Sequence, residues 1–505
     1  MPQICFRPRM AQPPKTPPKS SIWTPAAIRC TIAKTRAVPA RHAGIPSWEM
    51  VAMTHKPHPR VASCLLLFIL TFASTASAEW KEKVLYSFQG GVNDGSLPAG
   101  GVVFDSQGNL YGATTYGGLT ACAIGGECGT VFQLSPPTHK GDPWTETVIY
   151  KFHGQGANDG GVPSGGLILD AAGNLYGVTA YGGSGDCVLL GLRAGCGTVY
   201  EISPPKQKGG AWTETILYSF PTAKQGYLPN GDLVFDGAGN LYGATTFGGT
   251  EGTTCDAFYG GQCGAVFKLS PPKSKDGKWT EEVLHNFAGG TDGANPNGGL
   301  VLDGKGNNVY GTTYAGGGRC SGGGCGTVFT IHTPTKKGGA WTEKVLHRFG
   351  GQDGSNPAAG VVSDGNGNLY FTTFDGGRDH SPWGTVVQLV PRSDGTWTEH
   401  LLYTFQDGND GSEPRGGLVF DSKRNLYGTA TSSSTGGGTI FRLRPVGKSW
   451  ALAVLYDFTG APDGSGPTGN LIFDGVGNPY GTTQYSGSGQ GCGNYGCGTV
   501  FEASP

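Results

Sequence analysis

One phrase, D-x-x-G-N-L-Y-G-x-T with variations, recurs seven times in this chain, beginning at Asp105, Asp170, Asp236, Asp303, Asp364, Asp421 and Asp474. The intervals are 65, 66, 67, 61, 57 and 53 residues. Such a period means that one supersecondary unit is copied, each copy burying its apolar face against its neighbours. A 505-residue chain thereby escapes the size of about 250–300 residues at which single cores split.

Each copy reads as four short strands. The first is an apolar run, Gly101–Asp105 or Gly417–Asp421, followed by a tight turn with glycine in its fourth position. The second is the Asn-Leu-Tyr-Gly run, as at Asn109–Thr114 and Asn240–Thr245. A glycine-rich loop leads to the third, Gly129–Leu134 and its relatives opening at Gly197, Gly264, Gly326, Gly384, Gly438 and Gly498. A Lys/Gly/Pro linker precedes the fourth, such as Trp212–Phe220. Alternation and enrichment in β-branched and aromatic residues mark strands, and no stretch has a helical apolar period.

Seven such units predict an all-β fold, a seven-bladed β-propeller of four-stranded blades. A lone fourth strand, Trp80–Phe88, precedes the first copy, and the last copy stops after its third strand, Gly498–Glu502. The N-terminal strand is therefore expected to complete the last blade, closing the ring without an exposed sheet edge.

Residues 53–78 read as a signal peptide. A basic leader (His55, Lys56, His58, Arg60) precedes an apolar run containing Cys64–Leu70, and Ala76-Ser77-Ala78 fits the cleavage pattern. The run is shorter than the roughly 20 residues of a membrane span, so a mature chain 79–505 is expected to be secreted, extracellular or periplasmic, and not membrane-spanning. Residues 1–52, rich in Pro and Arg, are either a mis-called start or a disordered extension. Ten of the 36 basic and one of the 37 acidic side chains precede Glu79, leaving 26 against 36, a net charge of −10. An acidic protein without a basic run excludes nucleic acid as the expected partner.

The F-x-G-G…D-G-x-x-P, D-x-x-G-N-L-Y-G-T-T and G-T-V-F-x-L phrases together span residues 79–505. In them the chain resembles the GloVer tandem-repeat proteins, secreted or surface-anchored bacterial proteins. The resemblance implies a propeller-like repeat fold in a bacterial secreted protein, and it supplies no catalytic residues.

Ten of the thirteen cysteines fall after the leader in five local pairs, Cys122/Cys128, Cys187/Cys196, Cys255/Cys263, Cys320/Cys325 and Cys492/Cys497. The fifth and sixth copies lack both members. Cysteines that come and go as pairs in an exported chain predict disulfides within loops. No pair has partners at finger-like zinc spacing, and neither a metal nor a cofactor is expected.

Two residue series are candidates for binding on the disulfide-loop face. Asp94, Asp159, Asp292, Asp353, Asp410 and Asp463 precede glycine in the D-G-x-x-P segments, which read as blade-to-blade connectors; the third copy has none. They either ring a pore and take a cation or sugar hydroxyls, or cap turns. Tyr116, Tyr181, Phe247, Tyr314, Phe374 and Tyr485 end the second strands and either stack on sugars or pack between blades. The Asp of D-x-x-G-N reads as a turn cap, the Trp of each fourth strand as outer-blade packing. His285 and His347, at the position of Tyr86 and Tyr218, read as surface variants. No nucleophile elbow, metalloprotease or phosphate-loop motif occurs. The expectation is a monomeric, non-enzymatic extracellular binding module for carbohydrate or a surface protein. A polysaccharide hydrolase or lyase on the same scaffold is the alternative, and a purely structural surface protein the third.

Overall fold

The computed structural model describes residues 79–505 except 120–121, 123–125, 155–157, 190, 250–254, 256–261, 276, 305, 319, 321–323, 337 and 379–381. The expected extension and signal peptide lie outside the described residues. Apart from the 3₁₀ turn Gly493–Tyr495, the described residues form strands and loops. Seven antiparallel sheets stand in a ring, a seven-bladed β-propeller.

The first sheet sets the pattern. Gly95–Pro98 and Val103–Phe104 are two halves of one inner strand, and both pair with Leu110–Gly117. Thr130–Ser135 and Thr145–Lys151 follow outward. The D-G-x-x-P segment is thus the first half of the inner strand rather than a connector. In the third copy the halves merge into Tyr227–Phe235, irregular between Asn230 and Val234. Elsewhere the strand breaks where neighbouring blades meet backbone to backbone near the axis: Gly100 against Gly166, Gly165 against Gly231, Gly298 against Ala359, Gly469 against Gly101. Only small residues fit there.

Two further devices join the blades. The residue before the proline of D-G-x-x-P is left-handed in every copy: Leu97, Val162, Leu228, Asn295, Asn356, Glu413 and Gly466, with φ of 52° to 63°. Its N–H, in six copies, donates to the carbonyl just before the third strand of the preceding blade, as from Leu97 to Cys497 and from Asn295 to Cys263, at 2.7–2.9 Å. The proline then seats on the glycine that opens that strand. At Gly129, Gly197, Gly264, Gly326, Gly384, Gly438 and Gly498, φ is 88° to 98°. A Cβ there would lie 2.5–2.8 Å from the neighbouring proline Cδ. Both the backbone and the packing therefore require glycine. The seventh of these contacts joins Gly498 to Pro98, so the last sheet meets the first as every other pair meets. Lys81–Ser87 forms the outer strand of the seventh sheet, with Lys81 opposite Ser504 and Ser87 opposite Thr499.

The core lies between blades. Phe88 meets Phe132, Phe152 meets Tyr200 and Phe220 meets Phe267, all fully buried and edge-to-face at 5.0–5.2 Å. Each such ring contributes about 1.5–3 kcal/mol by burial. The recurring Trp packs on the second-strand tyrosine of the preceding blade, Trp212 on Tyr111 and Trp450 on Tyr370.

At the axis the repeat is broken twice. Where other copies carry Gly101, Gly166, Gly299, Gly360 and Gly417, the third has Asp232 and the seventh Asn470. Asn470 Nδ2 donates to Asp232 Oδ2 across the ring at 2.7 Å, while the Gly166 N–H donates to Oδ1 at 2.6 Å. Burial raises the Asp232 carboxyl, and these two donors oppose that shift. The pair places a polar bar across the central channel.

Candidate functional site

Each outer strand carries a one-residue bulge against the third strand, at Leu85, Ile149, Leu217, Leu284, Leu346, Leu402 and Leu455. A bulge re-aims the side chain that follows it, here the Tyr or His that meets the crossover aspartate. Tyr86 Oη donates to Asp94 Oδ2 at 2.9 Å, and the N–H groups of Gln89 and Gly95 donate to the same carboxylate at 2.6 Å. Tyr150–Asp159, Tyr403–Asp410 and Tyr456–Asp463 repeat the pair at 2.8–2.9 Å. Asp94, Asp159 and Asp463 are each 6% exposed. In the third copy, which has no aspartate there, Tyr218 Oη donates to Glu281 instead.

His285 and His347 take the tyrosine's place. They are not surface residues: their side chains are 22% and 17% exposed and lie against Asp292 and Asp353. In six of the seven crossovers a glutamate from the next outer strand completes the group; after Asp410 that position is Leu452. Burial, then the charge of Asp94, pushes Glu146 up to about 8. Glu82 and Glu214 are pushed as far, with Asp463 and Asp159 as the charges. Sequence reading missed these glutamates, although the recurring Trp-Thr-Glu was the available signal.

The aspartates of D-x-x-G-N accept locally. Asp105 Oδ1 takes the N–H groups of Gln107 and Asn109, and Oδ2 takes Asn109 Nδ2 and Tyr111 Oη.

The five expected disulfides are formed: Cys122–Cys128, Cys187–Cys196, Cys255–Cys263, Cys320–Cys325 and Cys492–Cys497. Their loops lie on the crossover face, where Gly154 abuts Cys122–Cys128 and Gly90 abuts Cys492–Cys497. The bonds close the loops as expected, and they also reach into the core. The second cysteine of each pair, Cys128, Cys196, Cys263, Cys325 or Cys497, is buried in the core. Cys196 packs with Phe220 and Val199, and Cys325 with Val328 and Phe349. The reason is position: each directly precedes the glycine that opens a third strand, so it already stands at the blade interface. The bonds therefore anchor the loops to the core, and these second cysteines present no surface to a ligand. Five disulfides fit an oxidising, extracellular-type environment. Among the described residues no helix is long and apolar enough to cross a membrane.

The aromatic series divides. Tyr116, Tyr181, Phe247 and Tyr485 share one register, opposite Ser96, Gly161, Tyr227 and Ser465. Tyr314 and Phe374 stand one residue earlier, because Ala315 pairs with Ala294 and Asp375 with Ser355. A one-residue offset on a strand sends the side chain to the other face. Phe247 is 8% exposed and packs in the core beside Tyr227. Tyr181 is half-buried and meets Tyr227 edge-on at 6.5 Å.

Tyr314 and Phe374 belong to a different group. The Arg415 guanidinium lies 4.3 Å over the Phe374 ring, and Tyr314 feels the charges of Asp375, Arg415 and Glu413. Charges from the sixth copy reaching a ring of the fourth place this cluster on the inner side of the ring. Burial and Glu413 push Asp375 up to about 6, against the pull of Arg415. The loop continues from Asp375 to Arg378, which lines an open cleft of about 730 Å³ with Gln352, Asp353, Pro382, Glu399 and Leu401. In this cleft two carboxyls are driven apart. Burial alone would raise Asp353, yet His347 and the Gly350 N–H hold it below the usual range. Burial and Asp353 raise Glu399. The fifth and sixth copies therefore present two neighbouring groups, Phe374 under Arg415 with Asp375 and Glu413, and the cleft of Asp353, Glu399 and Arg378.

The Gloeobacter/Verrucomicrobia repeat family matches residues 67–324, 187–394 and 321–505. No curated protein matches the chain. Among solved structures it is similar to a luciferin-regenerating enzyme, with 13% identity, 68% of this chain and 91% of that one covered, and a TM-score of 0.38. It is also similar to an oxidoreductase (glucose dehydrogenase) of Thermus thermophilus, with 16% identity, coverages of 84% and 100%, and a TM-score of 0.39. A fungal alcohol oxidase in complex with copper gives 12% identity, coverages of 85% and 76%, and a TM-score of 0.47. At these identities none of the three informs the chemistry.

Proposed function

The chain belongs to the Gloeobacter/Verrucomicrobia repeat family, and from that premise we propose that it is an exported, monomeric, non-enzymatic protein that binds polysaccharide across its fifth and sixth copies. The observation that carries this reading is a local departure from the repeat in the fifth and sixth copies: Phe374 under Arg415, with Asp375 and Glu413 beside them. Flat rings suit the apolar faces of sugars, and carboxylates and guanidinium groups suit their hydroxyls. The polar bar of Asp232 and Asn470 would make the inner mouth a seat rather than a tunnel.

The test is retention of the protein on a panel of insoluble and immobilised polysaccharides, with released oligosaccharide assayed in the same tubes. Phe374→Ala and Arg415→Ala should each weaken retention about tenfold, the scale of one lost aromatic or charged contact, while His139→Ala on an opposite-face linker should not. Equal retention by parent and both variants would refute the assignment.

One observation favours a second reading. Asp353 and Glu399 line one cleft and are shifted in opposite directions, the arrangement of an ionised and a protonated carboxyl that acid–base cleavage of a glycoside uses. Released product that disappears with Glu399→Gln would make the protein an enzyme.

A further inference from the structure

The crossover from the third to the fourth sheet combines three groups from separate elements. His285 lies on the outer strand Thr280–Asn286, Asp292 in the connector, and Glu343 on the next outer strand, Thr342–Arg348. One ligand-type atom from each lies within 4.8 Å of the other two. We propose that His285, Asp292 and Glu343 form a divalent transition-metal site, taking Zn²⁺ through one imidazole nitrogen and two carboxylates.

Three observations carry the assignment. First, His285 Nε2 stands 3.2 Å from both Asp292 oxygens. A charge-assisted hydrogen bond selects one oxygen at about 2.7–2.9 Å, as His347 does with Asp353 Oδ2 at 2.8 Å. The imidazole of His285 thus shares its hydrogen bonding between both carboxylate oxygens rather than committing to one. Second, Glu343 Oε1 is buried and has no hydrogen-bond partner. The same oxygen is unpartnered in Glu82, Glu146, Glu214 and Glu281, but those crossovers present a tyrosine, and a phenol is a poor substitute for a neutral imidazole at a zinc ion. Third, Asp292 is already oriented, because the Ala288 N–H donates to its Oδ2 at 2.7 Å. Such outer hydrogen bonds fix ligating carboxylates.

The donor set selects the ion. Calcium and magnesium favour all-oxygen shells, whereas an imidazole with two carboxylates suits zinc and its transition-metal neighbours. Zinc–ligand distances of about 2.0–2.2 Å require the three atoms to draw in by roughly an ångström, which the long Glu343 side chain allows. Three protein ligands leave one position for water or a ligand. The ion would fasten two blades where five of the other six crossovers rely on a tyrosine hydroxyl.

The test is calorimetric titration of the untagged, disulfide-intact protein with ZnCl₂ after treatment with a chelator. The parent should take up one strongly bound Zn²⁺, and excess Mg²⁺ or Ca²⁺ should not displace it. His285→Tyr installs the residue used in most copies and should leave the metal-free Tm near the parent's while weakening Zn²⁺ at least about tenfold. Glu343→Gln, which preserves volume, should weaken it similarly, whereas His347→Tyr should not. Parent-like zinc binding in both His285→Tyr and Glu343→Gln would overturn the proposal, as would a parent that binds only at millimolar concentration. Neither result depends on whether polysaccharide is retained.

Discussion

A carboxyl held above its ordinary pKa in the folded state reverses the familiar dependence of stability on pH. Glu82, Glu146 and Glu214 are raised from 4.5 to about 8, first by burial and then by the neighbouring aspartate. Between those values the folded chain binds protons that the unfolded chain releases, so stability is highest at the acid end of the interval and falls as pH climbs toward 8. Tm is therefore expected to decline from pH 5 to pH 8.5, and Glu146→Gln to flatten part of that slope. A slope identical in the variant would show that Glu146 does not carry the proton. Glycine sets the other sensitive point at this scale. Gly129→Ala forces a Cβ onto Pro163 at a φ of 88° and should cost about 2–5 kcal/mol in denaturant unfolding.

Within a blade, residues substitute for one another across strands. In five copies the Gly of N-L-Y-G (Gly112, Gly243, Gly311, Gly428, Gly481) leaves room for the third-strand Phe, whose ring would lie 2.5–2.7 Å from a Cβ there. The fifth copy exchanges the two, with Phe371 opposite Val387, and the ring still reaches Phe349. Gly243→Phe alone should therefore abolish cooperative folding, and Gly243→Phe with Phe267→Val should restore most of it, read as a double-mutant cycle in urea. The strands themselves were legible because period-2 apolar patterning and the recurring phrases coincide. The inner strand was half missed, because Gly95–Pro98 has no apolar alternation and is held through backbone pairing with Leu110–Gly117. The split of the aromatic series was hidden for a related reason: a one-residue offset is trivial in a sequence and reverses a side chain in a sheet.

At the scale of the molecule, the copy number and the disulfide pairs could be read directly, since both are repeated seven and five times over. How deep the bonds reach could not: that Cys196 and Cys325 belong to the core follows from the neighbouring blade, which the spacing of cysteines does not describe. The candidate site was equally hidden. Its members depart from the repeat, Asp375 standing where the first copy has Tyr116, Glu413 where it has Leu97 and Arg415 where it has Ala99; the packing of neighbouring blades draws them together. Removing residues 79–90 should strip the outer strand from the seventh sheet and expose the site of Leu85 and Phe88, at a cost of roughly 3–6 kcal/mol from those two side chains. Unchanged thermal unfolding would show that the strand is dispensable. The bar across the axis carries one more meaning. Its two residues are 238 positions apart, so a chain delivered from its N-terminus, at about 5–20 residues per second, holds Asp232 for some tens of seconds before Asn470 exists. That hydrogen bond is a late event in the life of the molecule, formed only once nearly the whole circle has been supplied, and its presence marks a ring that has been completed rather than one still being assembled.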